Sequence, residues 1–296
     1  MKNLLIAHFL LAYGQTVSGY LLPWIIVNAL KMGDVYYTVY YAMISFYVIY
    51  IPFVGYITDR FSQVKMLSMV PFANLFFLII SLILVFFDVL VGSLVLFGSG
   101  FIVGPFQYNL LYAYSSLLGD NKKRNSGLIE IQVQLSATLG AITSLLINYI
   151  KDLEYKIIAA YGINAIGSIL SIFFFRKLDR ISGPRAGKDI LTEVALCTIW
   201  FIRKVPLFVF CVASLVFFIV LLIWEQYVIL KYTEGAIEPP RGLSPYSVYV
   251  IGIVVYCLGA AGSGIFASTL NPVLNIKLMM IYGVMFLLAI LMLVVL

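Results

Sequence analysis

The stretch Leu75–Phe87 reads LFFLIISLILVFF, and after the single residue Asp88 the chain continues as VLVGSLVLFGSGFIV over Val89–Val103. No charge interrupts either run. Strands of a membrane barrel alternate apolar and polar residues; these runs are continuous, so the reading is helical. A lipid solvent favours that choice, because every backbone N–H and C=O must be satisfied within the segment. The rest of the chain agrees. Of its 296 residues, 63% are hydrophobic and 11% charged, against about a quarter charged in soluble proteins. A soluble domain of this length cannot hide so much apolar side chain, whereas in a bilayer apolar side chains face outward.

A bilayer is crossed by about 20 apolar residues. Working outward from the opening stretch, about nine such spans are expected, at roughly 4–30, 36–58, 66–87, 89–117, 126–150, 157–176, 206–230, 246–266 and 278–296. The first is preceded by one early lysine, Lys2, and has no small-residue cleavage site, which predicts a retained helix and not a signal peptide. With the N-terminus inside, 14 of the 19 basic residues fall in inner loops, among them Arg60, Lys65, Lys122, Arg124, Arg176 and Lys177. The positive-inside bias therefore predicts a multi-pass protein of the cell membrane with a cytoplasmic N-terminus. The longest break, Arg176–Pro206, carries an amphipathic stretch from Asp189 to Lys204, suited to the inner membrane surface. The expected division is 1–176, six spans; 177–205, a cytoplasmic linker; and 206–296, three spans. Cys197, Cys211 and Cys257 have no metal or disulfide spacing.

The loop between the second and third spans reads Gly55-Tyr-Ile-Thr-Asp59-Arg60-Phe-Ser62-Gln63-Val-Lys65. It resembles the signature loop of the major facilitator superfamily, Gly-x-x-x-Asp-Arg-x-Gly followed by basic residues. Gly55, Asp59, Arg60 and Lys65 match; Ser62, Gln63 and Val64 depart. Leu117-Leu-Gly-Asp120-Asn-Lys-Lys-Arg124 and the linker running into Arg203-Lys204-Val-Pro206 look like the multidrug and siderophore efflux branch. The resemblance implies an all-α polytopic membrane protein, with a six-helix N-terminal bundle and a partial C-terminal bundle. It implies a secondary transporter of a small solute, with ion-coupled efflux foremost; the alternatives are an uptake permease of the same fold or a truncated relative that does not transport. Family members have twelve helices, so this reading expects the last three to be lacking. In the family the loop motif locks the two halves on the inner side, and Asp120 is the natural partner of Arg60. Gly55 is expected to bring the second helix close to a neighbour.

Ionisable groups inside spans are costly and therefore suspect. His8, the only histidine, Glu130 and Glu225 qualify, each near enough to one membrane surface for water to reach it. Glu130, Gln134 and Thr138 recur every four residues and share a helix face, which makes Glu130 the first candidate for a protonatable or cation-binding group; the alternative is a carboxylate reaching the inner surface near Lys122–Arg124. The resemblance places the first and fourth helices along a central path, where Gln15 and Thr16, and Gln107, Tyr108 and Tyr112, are the candidate lining residues. Tyrosines there suit an amphipathic solute. Among the tyrosines of the second span, Tyr36 to Tyr50, the outer members are expected to anchor at the membrane surface and Tyr47 to reach a cavity. The partners implied are a small-molecule solute, protons or another coupling ion, and the lipid bilayer. No nucleic-acid contact, metal site or cofactor is indicated: a His-x-x-x-His pair is impossible with one histidine, no phosphate-binding Gly-rich loop is present, and nothing suggests an enzyme.

Overall fold

The computed structural model describes residues 1–118, 122–178 and 242–269, with Thr192 and Ile199. The elements are α1 (Lys2–Trp24), a π-helical turn (Ile25–Ala29), α2 (Gly33–Arg60), α3 (Gln63–Phe87), α4 (Val89–Leu117), α5 (Lys122–Asn148), α6 (Leu153–Phe175) and α7 (Pro245–Thr269). They match seven of the nine expected spans, with ends displaced by a few residues; α7 is the eighth. The seventh and ninth spans and the amphipathic linker lie outside the described residues. Among the described residues every regular element is helical. Five of the helices are long and apolar enough to cross a membrane, and α2, with 28 residues, rises about 42 Å.

Burial within these helices runs opposite to that of a soluble bundle. On α3, Met69, Phe72, Phe76, Ile79, Ile83 and Phe86 are exposed and follow one another every three or four residues, while Asn74 and Ser81 are buried. On α6, Ile158, Ile166, Leu170 and Phe173 are exposed, while Asn164, Ser168 and Ser171 are buried. An apolar stripe of that length facing water would drive association; facing lipid it is the surface a spanning helix needs. The chain is a multi-pass α-helical membrane protein.

Local chemistry sets the turns. Pro23 lies inside α1 and lacks the N–H that would continue the ladder. The helix widens immediately after it: Leu30 N–H donates to Ile25 O at 3.0 Å, a π-type spacing. Lys31, at φ +57°, then reverses the chain into α2. Between α3 and α4 a single residue makes the turn. The Asp88 carboxylate accepts from Leu90 N–H at 2.8 Å and Val91 N–H at 3.2 Å, answering two of the donors every helix start leaves open. Asp152 caps α6 in the same way, accepting from Glu154 N–H at 3.0 Å. At the end of the bundle where α2 turns into α3, basic side chains lie over rings: Arg60 over Tyr56 at 4.5 Å and Arg176 over Phe72 at 5.9 Å.

α1 is the centre of the bundle, packed chiefly on α6 and α5 and more lightly on α4. α3 joins α4 and α6, and α2 lies on α4. Small residues allow the closest crossings. A methyl group added at Gly14 would come within 2.8 Å of Asn164 Cα, and one at Gly167 would overlap Leu10 O, so α1 and α6 touch backbone to backbone. A methyl at Gly140 would overlap the Thr16 side chain. Gly55 differs from the expectation: nothing described lies within 4 Å of the position its Cβ would take, so it makes no close crossing with a described neighbour.

Tyr36 and Tyr40 also depart from the expected membrane-surface role. Both are buried, packed against Phe97 and Phe101 between α2 and α4. α7 closes on α5 and on the C-terminal end of α1. Tyr246 donates to Ser144 Oγ at 2.8 Å, and Trp24 packs against the Tyr246 and Tyr249 rings at 4.9 and 6.2 Å.

Candidate functional site

α1 and α4 run antiparallel, and their polar positions meet at two levels one heptad apart. His8 faces Gln107 and Tyr108. Seven residues along α1, and seven back along α4, Gln15 and Gly19 face Gly100 and Phe101 across a cavity of about 180 Å³. Seven residues are about two helical turns, or about 10 Å.

The upper cavity has aromatic and aliphatic walls, Leu22, Leu96, Phe97 and Phe101, and a polar floor of Gln15, Ser18, Asn74, Ser99 and Asn164. The floor is a hydrogen-bonded network spanning three helices. Gln15 Nε2 donates to Asn74 Oδ1 at 3.2 Å. Asn74 Nδ2 donates to Asn164 Oδ1 and Ser168 Oγ, both at 2.8 Å. Asn164 Nδ2 donates to Ser18 Oγ at 3.0 Å. The space exists because Gly19 and Gly100, which line it, have nothing described within 4 Å of a Cβ position; they leave room instead of packing helices together.

At the lower level His8 is fully buried, a correction to the expectation that water reaches it. Its Nδ1 lies 2.7 Å from Gln132 Oε1 on α5, and its Nε2 lies 3.1 Å from Gln107 Nε2 on α4. Beside this level Glu130 accepts from Gln134 Nε2 at 2.8 Å and from Tyr112 Oη at 3.2 Å, and Thr138 Oγ1 donates to Gln134 O at 2.8 Å. Tyr108 and Tyr112 are 38% and 37% exposed, so this α4–α5 face is open.

The expected site residues therefore divide. Gln15 lines the cavity. Tyr112, Glu130 and Gln134 form one cluster, with Tyr108 a turn away from Tyr112. Thr16 is committed elsewhere: its hydroxyl bonds Tyr13 O at 3.0 Å and Ser136 O at 3.2 Å, at the crossing of α1 and α5, so it serves packing. Gln107 points away from the open face into the α1 contact and is 1% exposed. Tyr47, on α2, stands edge-on to Phe101 at 6.3 Å. At the turn from α2 into α3, Arg60 and Lys65 are exposed; the Asp59 side chain, Asp120 and Glu225 lie outside the described residues. Asn74, Asn164, Ser168 and Gln132 were missed. The available signal was a lone amide within an apolar span, which needs a partner on another helix as surely as an ion does. Among the described residues no group of three or more His, Cys, Asp or Glu side chains is placed to hold a metal.

Inside-out helices around a part-polar, part-aromatic cavity define a class: polytopic helical membrane proteins. The particular family follows from the whole sequence. The family model of the Major Facilitator Superfamily matches residues 4–296, and the chain belongs to that superfamily of membrane transporters of small solutes. No curated relative and no solved structure matches it.

Proposed function

We propose that the chain is a secondary carrier that exports a small amphipathic solute in exchange for an ion. The observation that carries this reading is the pairing of an aromatic-walled cavity between α1 and α4 with a carboxylate cluster on the neighbouring α4–α5 face. Phe97 and Phe101 offer apolar contact, the Gln15 amide offers orientation, and Glu130, held by Tyr112 and Gln134, offers the charge. Glu130 binds the exchanged cation or a cationic solute head. Asp59 and Arg60 act at the inner end as the lock between the halves, with Asp120 as partner. The N-terminus is cytoplasmic, as the basic inner loops favour, and the chain divides into bundle 1–176, linker 177–205 and second part 206–296.

The test uses purified protein in lipid vesicles, the cationic dye ethidium as probe, and an imposed proton gradient. Dye movement against its own gradient, lost in Glu130→Gln, is the expected result. Movement that is indifferent to the imposed gradient and to that substitution overturns the reading.

A further inference from the structure

His8, Gln107 and Gln132 form a device that a purely structural contact would not need. The imidazole is fully buried, and both glutamines are nearly so, at 1% and 8% exposed. A neutral imidazole has one donor and one acceptor nitrogen. The geometry meets that state: Nδ1–H donates to Gln132 Oε1, and Nε2 accepts from Gln107 Nε2. Yet each amide has an end that bonds to nothing. Gln107 Oε1 and Gln132 Nε2 are buried without a partner. Buried polar atoms in folded proteins are nearly always satisfied, and an orphan carries a free-energy cost that calls for a reason.

The two orphans are not equivalent. Gln132 Nε2 answers no need of the ring, because its own Oε1 already serves Nδ1–H. Gln107 Oε1 is the acceptor that a protonated ring requires. An imidazolium donates from both nitrogens, so it needs two acceptors. Gln132 supplies one as it stands. Half a turn of the Gln107 amide supplies the second, and the only hydrogen bond broken is the one being replaced.

We propose that His8 binds the coupled proton of this carrier, with Gln107 as the rotating acceptor and Glu130 left to hold the cationic solute head; this rests on the ion-exchange reading above. The Nε2 lone pair takes a proton from water admitted between α1 and α4, one N–H bond forms, and the proton leaves by the reverse step. Tyr108 is the wall between the two environments. Its ring stands edge-on to the imidazole at 5.7 Å while the residue is part exposed on the open face. A charge sealed at this depth is costly, so uptake belongs to a conformation in which Tyr108 has moved and water enters. The titratable surroundings are sparse. From α4 the ring meets Tyr108, with Tyr112 one turn on; on α5 the nearest charge is Glu130, two residues before Gln132; α6 has no Asp, Glu, Lys or Arg between Ile157 and Phe175.

His8 is the only histidine in the chain, so it can be read directly. The protein, purified with a histidine-free affinity tag and labelled with ¹⁵N-histidine, is titrated in detergent micelles between about pH 4 and pH 8, and the ring nitrogens are followed by NMR. At the alkaline end the Nδ1–H tautomer is expected. On acidification a doubly protonated ring should appear, and in Gln107→Leu that signal should be lost within the same window. A wild-type ring that stays neutral throughout, an alkaline form protonated on Nε2, or a titration unchanged in Gln107→Leu overturns the proposal. The wild-type measurement stands even if the variant fails to fold. A titrating His8 in a protein that moves no dye under a proton gradient would refute the ion-coupled carrier and leave the proton site intact.

Discussion

Replacing Asn74 by leucine tests whether the amide network, and not apolar contact alone, holds α1, α3 and α6 together. The substitution keeps the volume roughly constant and removes three hydrogen bonds, at 2.8, 2.8 and 3.2 Å. They do not count equally. Gln15 lines the cavity, so water can take the place of its partner. Ser168 Oγ still donates to Asn164 O at 2.9 Å. Asn164 is 1% exposed and loses the donor to its Oδ1. Inter-helix hydrogen bonds in a membrane average about 0.6 kcal/mol, with about 1.7 kcal/mol at the top of the range. A buried acceptor left unpaired costs about 1–3 kcal/mol. The single variant is therefore expected to lose about 1–3 kcal/mol, and Asn164→Leu a similar amount. The double variant should fall short of the sum by about 1 kcal/mol, because each single change leaves an orphan that the double change removes. Reversible unfolding of the four proteins in mixed detergent micelles supplies the cycle. Additivity within about 0.3–0.5 kcal/mol, or a gain in stability from Asn74→Leu alone, would refute the reasoning.

Gly167→Ala forces a methyl onto the Leu10 carbonyl and should cost about 1–3 kcal/mol, whereas Gly104→Ala enters open space and should be neutral or slightly stabilising; thermal stability in detergent ranks the two, and the reverse order would contradict the close α1–α6 crossing. Tyr246→Phe and Ser144→Ala each remove the hydrogen bond between their hydroxyls and should each lower stability by about 0.5–1.5 kcal/mol, with the double variant no worse than Ser144→Ala, which also loses the bond to Ala141 O; a fully additive double would show that the bond does not couple α5 to α7. Asp59→Asn should change folding by no more than about 0.3–1 kcal/mol while slowing dye export. Severe loss of folded protein would make Asp59 a structural residue and remove its gating role.

The sequence by itself determined that this chain spans a membrane with helices and roughly where each described helix begins. Uninterrupted apolar runs admit no other solvent, and backbone hydrogen bonding inside lipid admits almost no other conformation. It also determined the family, because the Gly55–Lys65 loop and its place between two spans are local features. It did not determine which way the helices turn. In α3 and α6 both faces are largely apolar, so periodicity could not separate the lipid side from the packed side. Asn74 and Asn164 became legible only once the helices were side by side. The same is true of His8. Its position near the inner end of the first span suggested hydration, yet Gln107 and Gln132 are 99 and 124 residues away in the chain, and only the packing of α4 and α5 on α1 seals it. Thr16 failed for the complementary reason: one helix face holds both cavity and contact positions, and the neighbour that decides between them, Gly140 on α5, lies far along the chain. Hydropathy is additive along a sequence, but the pairing of polar atoms is a property of two helices at once, and the tertiary structure alone supplies the second one.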